Sequence, residues 1–99
     1  MTTVRLTEEE LAAALSPLPG WSGDTSALRR VVTAPDFLTG IRIVDDVAVV
    51  AEELDHHPAI DIRWKELTFS LSTHSKGGVT GRDIELARRI DEIAKRHGA

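Results

Sequence analysis

The chain has 99 residues, 41% apolar and 28% charged, with a formal net charge of -4, which describes one small globular domain over residues 1–99. With 12 Lys and Arg against 16 Asp and Glu and no block of like charge, it lacks the signature of a nucleic-acid backbone binder; without Cys it has no disulfide framework, thiolate zinc site or Cys nucleophile. No basic start followed by an apolar run marks a signal peptide, and the longest apolar stretch, Val47 to Ala51, is too short to span a bilayer, so a cytoplasmic protein without membrane contact is expected.

Thr7-Glu8-Glu9-Glu10 has capping-box spacing and an acidic first turn, and with Leu11 to Leu15 it predicts a short helix stopped by Pro17 and Pro19. Leu28 to Thr33 reads as a strand, with Trp21-Ser22 as its hairpin partner across the turn-rich Gly23-Asp24-Thr25-Ser26. Asp36 can cap a long central helix whose apolar face is Phe37, Ile41, Val44, Ala48 and Ala51, widened by Val47 and Leu54. Pro58 disfavours the α region for the residue before it, so this helix is expected to end near His56 or His57.

Ile60, Ile62 and Trp64 alternate with Asp61 and Arg63, and Leu67, Phe69 and Leu71 alternate with Thr68, Ser70 and Ser72. That pattern predicts two half-buried antiparallel strands reversing near Lys65-Glu66, and parity with Ile60 and Ile62 assigns Trp64 to the core. Thr80-Gly81-Arg82-Asp83 again has capping-box spacing, and Leu86, Ala87, Ile90, Ile93 and Ala94 line one face of a closing helix that Gly98 can end. The order α-β-β-α-β-β-α predicts an α+β fold, a four-stranded antiparallel sheet with three helices on one face. A thin core and an exposed edge strand favour a homodimer or homotetramer.

The informative side chains are His56 and His57 at the end of the long helix and His74 at the end of the last strand. Imidazole titrates near neutrality and so suits proton transfer. Glu52 and Glu53 stand four residues before His56 and His57, and the last turn of a helix favours cations, which together prepare a general acid. The same residues could simply cap the helix, with His74 exposed on a strand and His97 as a last-turn cation. A His-only zinc site is the sharper competitor, but adjacent histidines converge awkwardly on one tetrahedral ion and no His-Glu-x-x-His run is present. Ser70, Ser72 and Ser75 lack a nucleophile elbow, and Gly77-Gly78 and Gly81 lack a phosphate-loop Lys.

Glu52, His56-His57-Pro58, Trp64, His74 and Asp83 follow one pattern: acidic residue, three residues, His-His-Pro, five residues, aromatic, nine residues, His, and at least eight residues to Asp. In it the chain resembles the pterin-4a-carbinolamine dehydratases, whose mammalian members double as a dimerisation cofactor of a homeodomain transcription factor. Trp21, Leu28, Arg30, Phe37, Leu71-Ser72-Thr73-His74 and Gly77-Gly78-Val79-Thr80 also look like family counterparts, so the likeness runs from Gly20 to His97. Val31 and Val32 depart from it, standing where the family often has aromatics.

The resemblance implies a hydro-lyase that removes water from a 4a-hydroxytetrahydropterin to give the quinonoid dihydropterin, in tetrahydrobiopterin recycling. Pterin is then the substrate, no metal or other cofactor is needed, and functional coupling to an aromatic amino-acid hydroxylase is implied. Carried onto this sequence, His56 and His74 form the acid–base pair, and His57 orients the ring and shares the acid role. Glu52 and Asp55 hold tautomers or bind the pterin's amide and amino edge, beside Pro58. Ser72, Thr73, Ser75 and Lys76 form a second substrate-contacting segment, Trp21 a pocket wall, and Arg82 a contact to a polar part of the ligand. Asp83 is read first as the cap of the closing helix and second as a site residue. The competing class is a binding or assembly module that keeps the fold and acts through a partner.

Overall fold

The computed structural model describes residues 4–99, leaving Met1 to Thr3 outside the described residues, and its helices begin where the capping signals stand. Thr7 Oγ1 accepts from the Glu10 amide at 3.1 Å while Glu10 Oε1 accepts from the Thr7 amide at 2.9 Å, which opens α1 (Glu8–Leu15). Asp36 accepts from the Thr39 amide at 2.7 Å and opens α2 (Phe37–Leu54). Thr80 and Asp83 form the second capping box, at the start of α3 (Gly81–Arg96).

Between the helices lie β1 (Ser22–Gly23), β2 (Leu28–Thr33), β3 (Ala59–Arg63) and β4 (Glu66–Leu71), all antiparallel neighbours in the order β1-β2-β4-β3. Leu67 stands opposite Val32 and Ile62, Phe69 opposite Arg30 and Ile60, and Leu71 opposite Leu28, so one parity of the central strands faces the helices. Leu28, Val32, Leu67, Phe69 and Leu71 are buried there with Ile43 and Val47 of α2 and Leu86, Ile90 and Ile93 of α3. Each such side chain contributes about 1.5–3 kcal/mol on leaving water. The opposite face of the sheet, with Arg29, Val31, Asp61, Arg63, Glu66 and Thr68, is open.

Arg30 interrupts the apolar parity of β2, and α3 satisfies it: the guanidinium pairs with Asp91, whose Oδ1 also accepts from the Trp21 indole N–H at 2.8 Å. Gly23 needs to be glycine, because at φ 128° an added Cβ would lie 2.2 Å from the Ala27 carbonyl oxygen. No helix among the described residues is long and apolar enough to cross a membrane.

Several expectations need correction, among them the half-burial of β3, whose Ile62 is 41% exposed at the sheet edge. Trp64 is not in the core: it is 72% exposed, sits at φ 53° in the two-residue turn between β3 and β4, and carries the Lys65 ammonium 4.8 Å above its ring. Parity fails there because the strand has already ended and the turn redirects the side chain. The reversal therefore falls at Trp64-Lys65, with Arg63 paired to Glu66. The buried face of α2 is Gly40, Ile43, Val47, Val50 and Ala51, while Phe37, assigned to the core, is half exposed. Finally, α2 stops at Leu54, and Trp21 precedes rather than joins β1.

Candidate active site

The end of α2 decides where the two adjacent histidines go. Asp55 takes the left-handed conformation, φ 49° and ψ 47°, its N–H donating to Glu52 O at 3.2 Å, while the His56 N–H donates to Ala51 O at 3.0 Å. This is a Schellman closure with Asp in the position glycine usually takes. Pro58 disfavours the helical region for His57, so the chain cannot resume the helix after this turn. His56 turns inward and is 8% exposed, whereas His57 stays outside and pairs its Nε2 with Glu52 Oε2. Both members of that outer pair are exposed, so it orients the ring and adds little stability.

His56 meets a carboxylate that is fully buried. Asp83 Oδ1 lies 2.5 Å from His56 Nε2, and its Oδ2 accepts from the Thr80 amide at 2.9 Å and from the Thr73 hydroxyl at 2.8 Å. Thr73 and Thr80 hydroxyls lie 2.9 Å apart. Since the Thr73 hydroxyl donates to Asp83, the Thr80 hydroxyl donates to Thr73 Oγ1, which gives the network one direction ending on the carboxylate. A carboxylate that accepts three donors fixes the ring facing it with the proton on Nε2. Asp83 therefore caps α3 and holds His56 at once, and Thr73 and Thr80 hold Asp83.

The segment after β4 is a turn of 3-10 helix, His74–Lys76, rather than a strand end. Thr73 opens it from a buried position, its N–H donating to Gly78 O at 3.0 Å and its carbonyl accepting from the Lys76 and Gly78 amides. Thr73 is thus turned inward to the Asp83 network, while His74, Ser75 and Lys76 are exposed beside it. Ser72 donates to the Ser26 carbonyl at 2.8 Å. His56 and His74 share one support, the first through its ring and the second through its neighbour Thr73.

Arg82 reaches back across the helix junction, and its Nη2 donates to the carbonyls of Leu54 and Asp55, at 2.7 Å each. Trp21 stands elsewhere: its indole is buried on Asp91, two helical turns along α3 from Asp83, or about 12 Å at 1.5 Å per residue. Thr80 was expected as a helix cap and as part of the family-like Gly77-Gly78-Val79-Thr80 run, and no local signal marks its hydroxyl as part of the site. Among the described residues no group of three His, Cys, Asp or Glu side chains is arranged to hold a metal ion.

Residues 4–93 match the family described as Pterin 4 alpha carbinolamine dehydratase. A relative from Nocardia farcinica bearing that family's name is 54% identical over 95 residues, covering 96% of this chain and all of its own length. Another, from Mycobacterium sp. strain KMS, is 54% identical over 91 residues, covering 92% of this chain and 97% of its own. Among solved structures, a transcriptional coactivator/pterin dehydratase from Brucella melitensis superposes with a TM-score of 0.87 at 39% identity, over 91% of this chain and 98% of that one. A pterin dehydratase-like protein described as a RuBisCO assembly factor in the alpha-carboxysome shares the fold alone, at 20% identity and a TM-score of 0.62, over 75% of this chain and 86% of its own.

Proposed function

The chain belongs to the pterin 4 alpha carbinolamine dehydratase family, and from that premise we propose that it removes water from a 4a-hydroxytetrahydropterin by histidine acid–base catalysis. The reaction is a hydro-lyase step. The C4a–O bond breaks and the hydroxyl leaves as water with one added proton, the N5–H bond gives up its proton, and its electron pair forms the C4a=N5 bond of the quinonoid dihydropterin. Protons are exchanged and nothing is oxidised.

The single observation that carries the reading is the buried His56–Asp83 pair. With Nε2–H directed at Asp83, Nδ1 of His56 is the nitrogen available to a bound molecule, as a base when neutral and as an acid when the ring is protonated against the carboxylate. His74, exposed beside Thr73, serves as the opposite member of the pair. His57, oriented by Glu52, lies along the pterin and shares the acid role. Asp55, Pro58, Ser75 and Lys76 border the ligand, and no metal or further cofactor takes part.

In this reading the product is reduced again by a separate enzyme, so the chain serves tetrahydrobiopterin recycling, coupled to an aromatic amino-acid hydroxylase as the source of substrate. The uncovered edge of β3, with Ile62 and Trp64 exposed, supports assembly as a homodimer or homotetramer. The test is the dehydration of a 4a-hydroxytetrahydropterin generated in situ and followed by absorbance. Purified protein is expected to exceed the spontaneous rate in proportion to its concentration; a folded protein that adds nothing to that rate contradicts the proposal.

A further inference from the structure

Arg82 occupies the first turn of α3, where the helix dipole disfavours a cation. Its side chain leaves that environment for the opposite one. The two N–H groups of Nη2 donate to the carbonyl oxygens of Leu54 and Asp55, at the negative end of α2. Those carbonyls lie just beyond Ala51 and Glu52, which the Schellman closure uses as acceptors. A side chain that could have faced water thus closes the end of a second helix.

We propose that Arg82 is a positioning residue for His56 and His57, clamping the left-handed turn at Asp55 and so fixing the direction in which both rings leave α2. The inference rests on the histidine reading above and goes beyond it. Asp55 at φ 49° occupies a region that non-glycine residues enter at a cost, so contacts outside the residue must hold it. Arg82 grips the main chain at Leu54 and Asp55, and Asp83, its neighbour on α3, grips the His56 ring. Two adjacent residues of one helix turn therefore fix both the backbone and the imidazole. Without the guanidinium the ring keeps one tether while its main chain gains freedom, and His57 keeps only its exposed contact with Glu52. The small displacement of a reacting group that follows is enough to slow catalysis.

The test compares wild type with Arg82→Ala in the full chain, reading kcat and KM for dehydration, the histidine ring signals in carbon–proton NMR spectra, and the response to added guanidinium ion. We expect kcat to fall on the order of tenfold at nearly constant KM, and the His56 and His57 ring signals to move. Guanidinium is expected to restore part of the rate in Arg82→Ala and none in His56→Ala. Wild-type kcat together with unmoved ring signals in Arg82→Ala overturns the proposal. Should Arg82→Ala not fold, as judged by circular dichroism, Arg82→Gln undergoes the same measurements. If wild type itself does not accelerate dehydration, the functional reading fails separately, and the ring signals alone decide the clamp: displaced signals support it and unmoved ones overturn it.

Discussion

His56 at the end of α2 and Asp83 in the first turn of α3 meet in a contact of 2.5 Å between Nε2 and Oδ1, across 27 residues of sequence. The negative end of one helix is thereby brought to the positive end of the next, and the junction is sealed by one ring and one carboxylate. Because the same carboxylate caps α3 through the Thr80 amide, the fold and the site depend on one side chain. Asp83→Asn should separate the two dependences. Converting an acceptor to a donor on one oxygen leaves a buried donor without a partner, so stability falls by about 1–3 kcal/mol. Dehydration slows on the order of 10²-fold, measured where the variant is still folded. A stability loss with a full rate would show that Asp83 is only a cap.

Trp21 tests how far the site extends. Its indole N–H is committed to Asp91 and its ring is buried, so Trp21→Phe should lower the unfolding free energy by about 1–3 kcal/mol in a urea titration and leave the dehydration rate unchanged. A fall in kcat or a rise in KM, with stability intact, would restore the pocket-wall role.

Gly40 is a helical glycine with room to spare. A Cβ there would meet Ala34 Cβ at 3.5 Å and Leu67 Cδ2 at 3.6 Å, ordinary packing distances. Gly40→Ala removes the entropic cost of glycine in a helix and should stabilise the protein by about 0.5–1 kcal/mol. Destabilisation in thermal or urea unfolding would mean that α2 packs more tightly on β4 than these distances say.

Asp36 and Asp24 give the stability a pH dependence. The Thr39 amide donating to Asp36, and the Ser26 hydroxyl donating to Asp24, hold both carboxyls below their ordinary values. A depressed folded pKa contributes stability that is present above the unfolded value, about 4, and is lost as pH falls through the folded one. Asp36→Asn keeps the cap and removes the titration. Its stability deficit relative to wild type should shrink from pH 6 toward pH 2; a constant deficit would contradict the assignment.

The caps and the parities of β2 and β4 were legible in the sequence because each is a local device: Thr7, Asp36 and Thr80 do in the structure what their spacing says, whereas β3 alternates on paper and lies at the sheet edge with Ile62 exposed. The face of α2 was not. Apolar residues nearly encircle that helix, so the stripe of Phe37, Ile41 and Val44 is as periodic as the true one. Gly40, which has no hydropathy to register, sits in the contact with β4. Trp64 was misread because parity persists on paper after a strand has ended. Of the candidate site, the place of His56 and His57 beyond the end of α2 and the Asp83 cap were readable, whereas the union of His56 with Asp83 was not, since it depends on two helix ends meeting in space. The same holds for Arg82, whose sequence position places it at one helix and whose hydrogen bonds place it at another.

The most direct measurement is the dehydration of a 4a-hydroxytetrahydropterin by wild type, His56→Ala and His74→Ala, each checked for native circular dichroism. The account predicts that wild type exceeds the spontaneous rate and that each variant loses between about 10² and 10⁴ of the acceleration. A folded His56→Ala or His74→Ala that dehydrates the pterin at the wild-type rate would contradict it.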